Sequence, residues 1–167
     1  MKAHQILLLT SLLLIIVSCS KTEYVKIAVT TDVHGMIYPL DLIEMRQADH
    51  SLAHVSSYLK QQRKAQDTSL ILLDNGDFLQ GQPTVYFFNT RKKDTTHISA
   101  QAMNYMAYDA ATVGNHDIET GPDVYNKITD EFDFPWLAAN AINIHTNKPG
   151  FEPYAIINKG GRKIAIL

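Results

Sequence analysis

Ser69-Leu70-Ile71-Leu72-Leu73-Asp74-Asn75-Gly76-Asp77 is the stretch that decides the fold. Its five apolar and small residues run without alternation, which is the pattern of a strand covered on both faces rather than of one with a wet side. The run ends abruptly in Asn-Gly-Asp, so the chain turns tightly just where a carboxylate arrives. Working outward, Tyr24 to Thr31 reads as another strand. Between the two, residues 50–66 place Leu52, Val55, Tyr58 and Leu59 at helical spacing. Downstream, a helix is expected over 98–107, a strand over 110–113, and a helix opening at Gly121-Pro122-Asp123, where proline suits a first turn, and running to Phe132. Phe134 to Ala138 reads as a strand. Residues 154–158 and 162–167 flank Lys159-Gly160-Gly161 as a hairpin. Strand and helix alternate, so the class is α/β.

Three polar clusters follow three of these strands. Thr31-Asp32-Val33-His34-Gly35 sets a carboxylate and an imidazole two residues apart, and in an extended segment both would project from one face toward one cation. Asp77 lies on the turn after the second strand, and Gly114-Asn115-His116-Asp117 follows the third. Ligands of open α/β sheets bind beyond the carboxyl ends of the strands, so the three clusters should converge on a metal site. Any one of them alone could as well be an Asx turn.

Composition narrows the alternatives. The 167 residues carry a formal charge of −2 and one cysteine, which excludes an internal disulfide framework. The basic clusters, at residues 60–64 and 91–93, are short and read as a solvated helix face or loop, so no duplex nucleic-acid partner is expected. His50 and His54 would share a helix face, but Ser51 stands where a zincin needs Glu, so they are assigned surface or packing roles. His97 opens a helix and is read as structural. No Gly-x-Ser-x-Gly elbow or P-loop occurs, against a serine hydrolase or NTPase.

The N-terminus reads as an export signal. Lys2 precedes the apolar run from Ile6 to Val17, which is short for a membrane span, and Cys19 follows in Val17-Ser18-Cys19. This resembles a bacterial lipobox. Residues 1–18 would be the lipoprotein signal peptide, Cys19 the lipidated residue, and 19–23 a tether, which places the protein in the bacterial cell envelope, lipid-anchored on the periplasmic or extracellular side. An uncleaved anchor helix or an ordinary secretory signal are the alternatives.

Taken together and in order, Asp32-Val33-His34, Gly76-Asp77-Phe78-Leu79-Gln80-Gly81 and Gly114-Asn115-His116-Asp117 resemble the signature of the calcineurin-like metallophosphoesterases. The finer resemblance is to the 5′-nucleotidase and 2′,3′-cyclic-nucleotide 2′-phosphodiesterase/3′-nucleotidase branch. Trp136-Leu137-Ala138-Ala139-Asn140 adds to it, and it extends over about residues 24–167. The resemblance implies a layered fold with a central β-sandwich flanked by helices, and two divalent metal ions (Zn, Mn, Fe or Co). Asp32 and His34 would hold the first metal, Asp77 would bridge, and Asn115 would hold the second. His116 would act at the phosphate with Glu119 as its acidic partner, where the family more often has Asp. The activity implied is hydrolysis of nucleotides or cyclic nucleotides. A nucleotide-sugar or other phosphoester, or a non-catalytic lipoprotein keeping the fold, are the other readings. The family takes further histidines from downstream Gly-His and Gly-His-x-His segments, and His145 alone does not match them. The chain is therefore expected to be the N-terminal part of a catalytic domain whose C-terminal part completes the site.

Overall fold

A computed structural model describes residues 24–64 and 69–167. The signal peptide, Cys19 and the tether lie outside the described residues. Strand β1 (Lys26–Thr30) leads into a small hairpin of β2 (Leu40–Asp41) and β3 (Arg46–Gln47), then helix α1 (Leu52–Lys64) and strand β4 (Leu70–Asp74). Helices α2 (Pro83–Thr90) and α3 (Ile98–Met106) precede β5 (Ala110–Thr112). Helices α4 (Asn115–Glu119) and α5 (Pro122–Glu131) precede β6 (Trp136–Leu137). Two hairpins follow, β7 (Ile142–Asn143) with β8 (Lys148–Pro149), and β9 (Ala155–Lys159) with β10 (Arg162–Ile166).

The main sheet has the order β1-β4-β5-β6, and all three pairings are parallel. Parallel neighbours need crossovers, and the helices supply them. β4 is central, and its buried Leu70, Ile71 and Leu72 account for the unbroken apolar run in the sequence. Leu52 and Leu59 of α1, Met103 and Met106 of α3, and Val124 and Ile128 of α5 pack into the same core. Around Trp136 the rings of Phe78, Phe132 and Phe151 meet it at centroid distances of 5.3–5.6 Å, clamping β6 and the turn after β4 together. β1 forms one edge of the sheet, with Ile27 and Val29 of β1 exposed. The β9–β10 hairpin is tied back to the core by an ion pair of Lys159 Nζ with Asp109 at 2.6 Å.

The expected strands and helices are present with boundaries moved by a few residues. His97 caps α3: its Nδ1 accepts from the Ser99 N–H at 3.1 Å while Nε2 meets Asn89 Oδ1 at 3.0 Å, which fixes a neutral ring with its proton on Nε2. Burial pushes the His97 imidazole down to about 4. His54 bonds Ser51 at 2.8 Å and His50 meets Asp49 at 3.0 Å, as packing and surface roles require.

Candidate active site

Because β1, β4 and β5 run the same way, their carboxyl ends lie side by side, and the three polar clusters leave from that one edge. Backbone bonds join the clusters before any side chain is considered. Asn75 N–H donates to Thr30 O at 2.8 Å, Asp32 N–H to Gly76 O at 3.1 Å, and His34 N–H to Asp77 O at 2.9 Å. The loops after β1 and β4 are thus zipped along their length.

The first cluster is not extended. Asp32 and His34 have φ of 50° and 47°, in the left-handed region, and so does Asp77 at 62°. The same-face argument from strand geometry therefore fails, although its outcome holds: one ligand atom from each of Asp32, His34 and Asp77 falls within 4.8 Å of the others. Left-handed backbone at a non-glycine residue costs on the order of 1–3 kcal/mol, and three instances at three converging residues mark a conformation held by its surroundings. Two glycines take part. A Cβ on Gly81 would lie 2.3 Å from His34 O, and one on Gly114 would lie 2.5 Å from Asp77 N. Only a residue without Cβ lets these loops approach so closely.

Two carboxylates and one imidazole at this spacing form a mixed oxygen and nitrogen set of the kind that holds Zn, Mn, Fe or Co. Asn115 and His116 open α4 beside it. The His116 N–H donates to Asp77 Oδ1 at 2.9 Å, and the His34 and His116 rings meet edge to face at 5.4 Å. His116 Nδ1 bonds Glu119 Oε2 at 2.9 Å, one turn along α4. That bond holds the imidazole above its usual range and the Glu119 carboxyl below its own. With Nδ1 engaged, Nε2 is the ring nitrogen open to a ligand. His116 and Glu119 also line a cleft of about 720 Å³ whose other walls include Leu79, Pro83, Tyr86 and Val124.

Asp117 is the residue whose role the sequence reading passed over. It is fully buried, and its two oxygens accept four backbone N–H groups at 2.9–3.0 Å. Oδ2 takes Asp77 and Gly114, and Oδ1 takes Phe78 and Leu79. One carboxylate thus binds the loop after β4 to the start of α4. Burial pushes its pKa up, while the four donors favour the ionised form. Its signal was available: an acid at the third position of a helix whose N-cap is Gly114 is where a side chain reaches back to the cap N–H. Beneath the site, Asp74 accepts from Thr30 Oγ1 and from Gly76 N–H, and Thr30 Oγ1 meets Tyr108 OH at 2.8 Å.

The family model for calcineurin-like phosphoesterases matches residues 25–165, the span that carries all of these clusters. The chain belongs to the calcineurin-like phosphoesterase family. It is 31% identical over 156 residues to a 2′,3′-cyclic-nucleotide 2′-phosphodiesterase/3′-nucleotidase of Yersinia enterocolitica, covering 90% of this chain and 24% of that protein. A 5′-nucleotidase of Vibrio parahaemolyticus is 34% identical over 109 residues, 65% of this chain and 18% of its own length. The crystal structure of the calcineurin-like phosphoesterase YfkN from Bacillus subtilis superposes with a TM-score of 0.73 at 30% identity, over 85% of this chain and 46% of that one. Membership makes the mixed α/β fold a family feature. The chain spans about a quarter or less of the length of the curated relatives it matches.

Proposed function

We propose that the full-length protein is a dimetal phosphoesterase of the bacterial cell envelope that hydrolyses nucleotides or cyclic nucleotides. The observation that carries this is the convergence of Asp32, His34 and Asp77 within 4.8 Å, with His116 set beside them by its N–H bond to Asp77. Asp32, His34 and Asp77 would hold one metal ion. Asp77, with Asn115, would contribute to a second, and the C-terminal part of the protein would supply the remaining ligands. When bound, such a pair supplies Lewis acidity to the phosphate and lowers the pKa of water. The nucleotide reading rests on the names of the Yersinia and Vibrio relatives.

The chain's own residues define the leaving-group side. Glu119 holds His116 by Nδ1 and favours its protonated form, so Nε2–H can donate to the oxygen that departs. The ring lines the cleft, so the group attached to that oxygen has about 720 Å³ to enter, a volume typical of small-ligand sites.

Turnover of the full-length protein on 5′-nucleotides and 2′,3′-cyclic nucleotides tests the reading. Activity should be abolished by a chelator and restored by Mn or Zn. His116→Ala should lower turnover by about 10²–10⁴-fold and keep the metal. No phosphate release under any metal would end the proposal, and loss of metal in the variant would recast His116 as a ligand. For the envelope location, Cys19→Ser should release the protein from membranes, because the apolar run before it is short for a span. Continued pelleting of that variant in high salt would point to an anchor helix instead.

A further inference from the structure

We infer that Gln80 is a positioning residue for leaving-group departure: its side-chain amide anchors Glu119, and through Glu119 it fixes the ring of His116. The inference rests on the proposed role of His116. Gln80 Nε2 lies 3.1 Å from Glu119 Oε2, the same oxygen that His116 Nδ1 meets at 2.9 Å. A carboxylate oxygen only accepts, so the amide turns its NH2 toward Glu119, and one oxygen is shared by two donors from different elements.

Glu119 needs such an anchor. It is the last residue of α4, a helix of five residues, and its side chain is 55% exposed. It is also one methylene longer than an aspartate, so it has an additional torsion to restrain. Held by residues of its own short helix alone, His116 and the Asn115 side chain, a long carboxylate in water gains little by keeping one geometry, and Gln80 adds a donor from a separate loop. Gln80 is well placed to supply the restraint because its own backbone is pinned on both sides. The Leu79 N–H before it is bonded to buried Asp117. Gly81 after it approaches so closely that a Cβ there would meet His34 O. The loop that presents the bridging candidate Asp77 thereby also sets the orientation of the imidazole, which couples the two halves of the chemistry.

A proton donated at departure matters for a poor leaving group and little for a good one, and this separates positioning from general upkeep of the loop. In the full-length, metal-loaded protein, single-turnover rates would be compared on a nucleoside monophosphate, which departs as an alkoxide, and on 4-nitrophenyl phosphate. Gln80→Ala, and Gln80→Met as a variant that keeps bulk without the donor, should each slow the nucleotide about tenfold more than the aryl ester. KM and metal content should be unchanged. Combining Gln80→Ala with Glu119→Ala should be no worse than Glu119→Ala alone, because Gln80 acts only through Glu119. Equal losses on the two substrates, no loss on the nucleotide, or additive losses in the double variant would each overturn the inference. His116→Ala separates the two levels. If it too slows both substrates alike, the role of His116 is wrong and this inference falls with it. If it is selective for the nucleotide while the Gln80 variants are not, only the role of Gln80 is refuted.

Discussion

Asp117 takes a carboxylate into the interior and surrounds it with four N–H donors. Replacing it by Asn leaves one oxygen to serve two donors and turns an NH2 toward the other two. A buried donor left unpaired costs about 1–3 kcal/mol, so Asp117→Asn should lose at least about 2 kcal/mol in denaturant unfolding and weaken metal binding as well. A variant as stable as the parent would show that the loops hold together without it. At this scale the sequence was informative about identity and silent about duty. Asp32, His34 and Asp77 could be selected because their chemistry and their strand-end positions suit a metal, while the roles of Asn115, His116 and Glu119 came from the family resemblance. Asp117 and Gln80 sat inside the same quoted motifs; the helix-start pattern points to the bond of Asp117 with Gly114, but their other hydrogen bonds cross some 39 positions of chain, which no local pattern encodes.

The loops after β1 and β4 are the elements on which the site depends; backbone bonds join them to each other, and the Asp117 carboxylate ties the second to α4. Gly81 marks the closest approach, at φ +106°. Gly81→Ala adds backbone strain and places a methyl on the His34 carbonyl, so it should cost more than about 2 kcal/mol and displace His34 from the candidate metal position. Gly161, at φ +74° with nothing within 4 Å, meets only the backbone term, and Gly161→Ala should cost about 1 kcal/mol. Equal losses in the two would contradict the close approach. Element type was legible wherever periodicity was strong, as in β4, α1 and α5. Helix α2 was not anticipated, since Tyr86, Phe87 and Phe88 favour strands and the side chain of its N-cap Gln82 bonds Asp41 and Leu42 rather than capping the helix. The conformation of Asp32 and His34 was misjudged for a related reason: the spacing of two residues looks the same whether the segment is extended or left-handed, and the deciding bonds come from Gly76 and Asp77 on another loop.

Across the whole molecule, two buried titrating groups oppose one another. Burial raises Asp74 to about 7, so the metal-free folded protein holds a proton there that the unfolded chain has lost, and stability falls as pH rises from about 4 to about 7. His97 is depressed to about 4, so the unfolded chain holds the extra proton, and stability from this group is lost as pH falls from about 6.5 through 4. The slopes of these two groups have opposite signs over nearly one window and offset one another, while buried Asp117, also raised, adds to the falling side. Asp74→Asn, which can keep the bonds to Gly76 and Thr30, should unmask a stability that rises with pH. His97→Asn, which retains a capping acceptor, should unmask one that falls with pH. Urea midpoints measured from pH 4.5 to 7 would show this, and unchanged profiles in both variants would contradict it.

The parallel sheet that brings three loops to one edge is the global feature the sequence announced most clearly, because an apolar run followed by a polar turn recurs in strand order. What that edge binds decides the chemistry of the molecule. Anomalous diffraction from the full-length protein crystallised with Mn or Zn measures it directly. Two peaks about 3.5–4 Å apart are predicted, with Asp32 and His34 on one, Asn115 on the other and the Asp77 carboxylate between them. Metal located away from these residues, or a single ion that leaves Asp77 uncoordinated, would contradict the assignment.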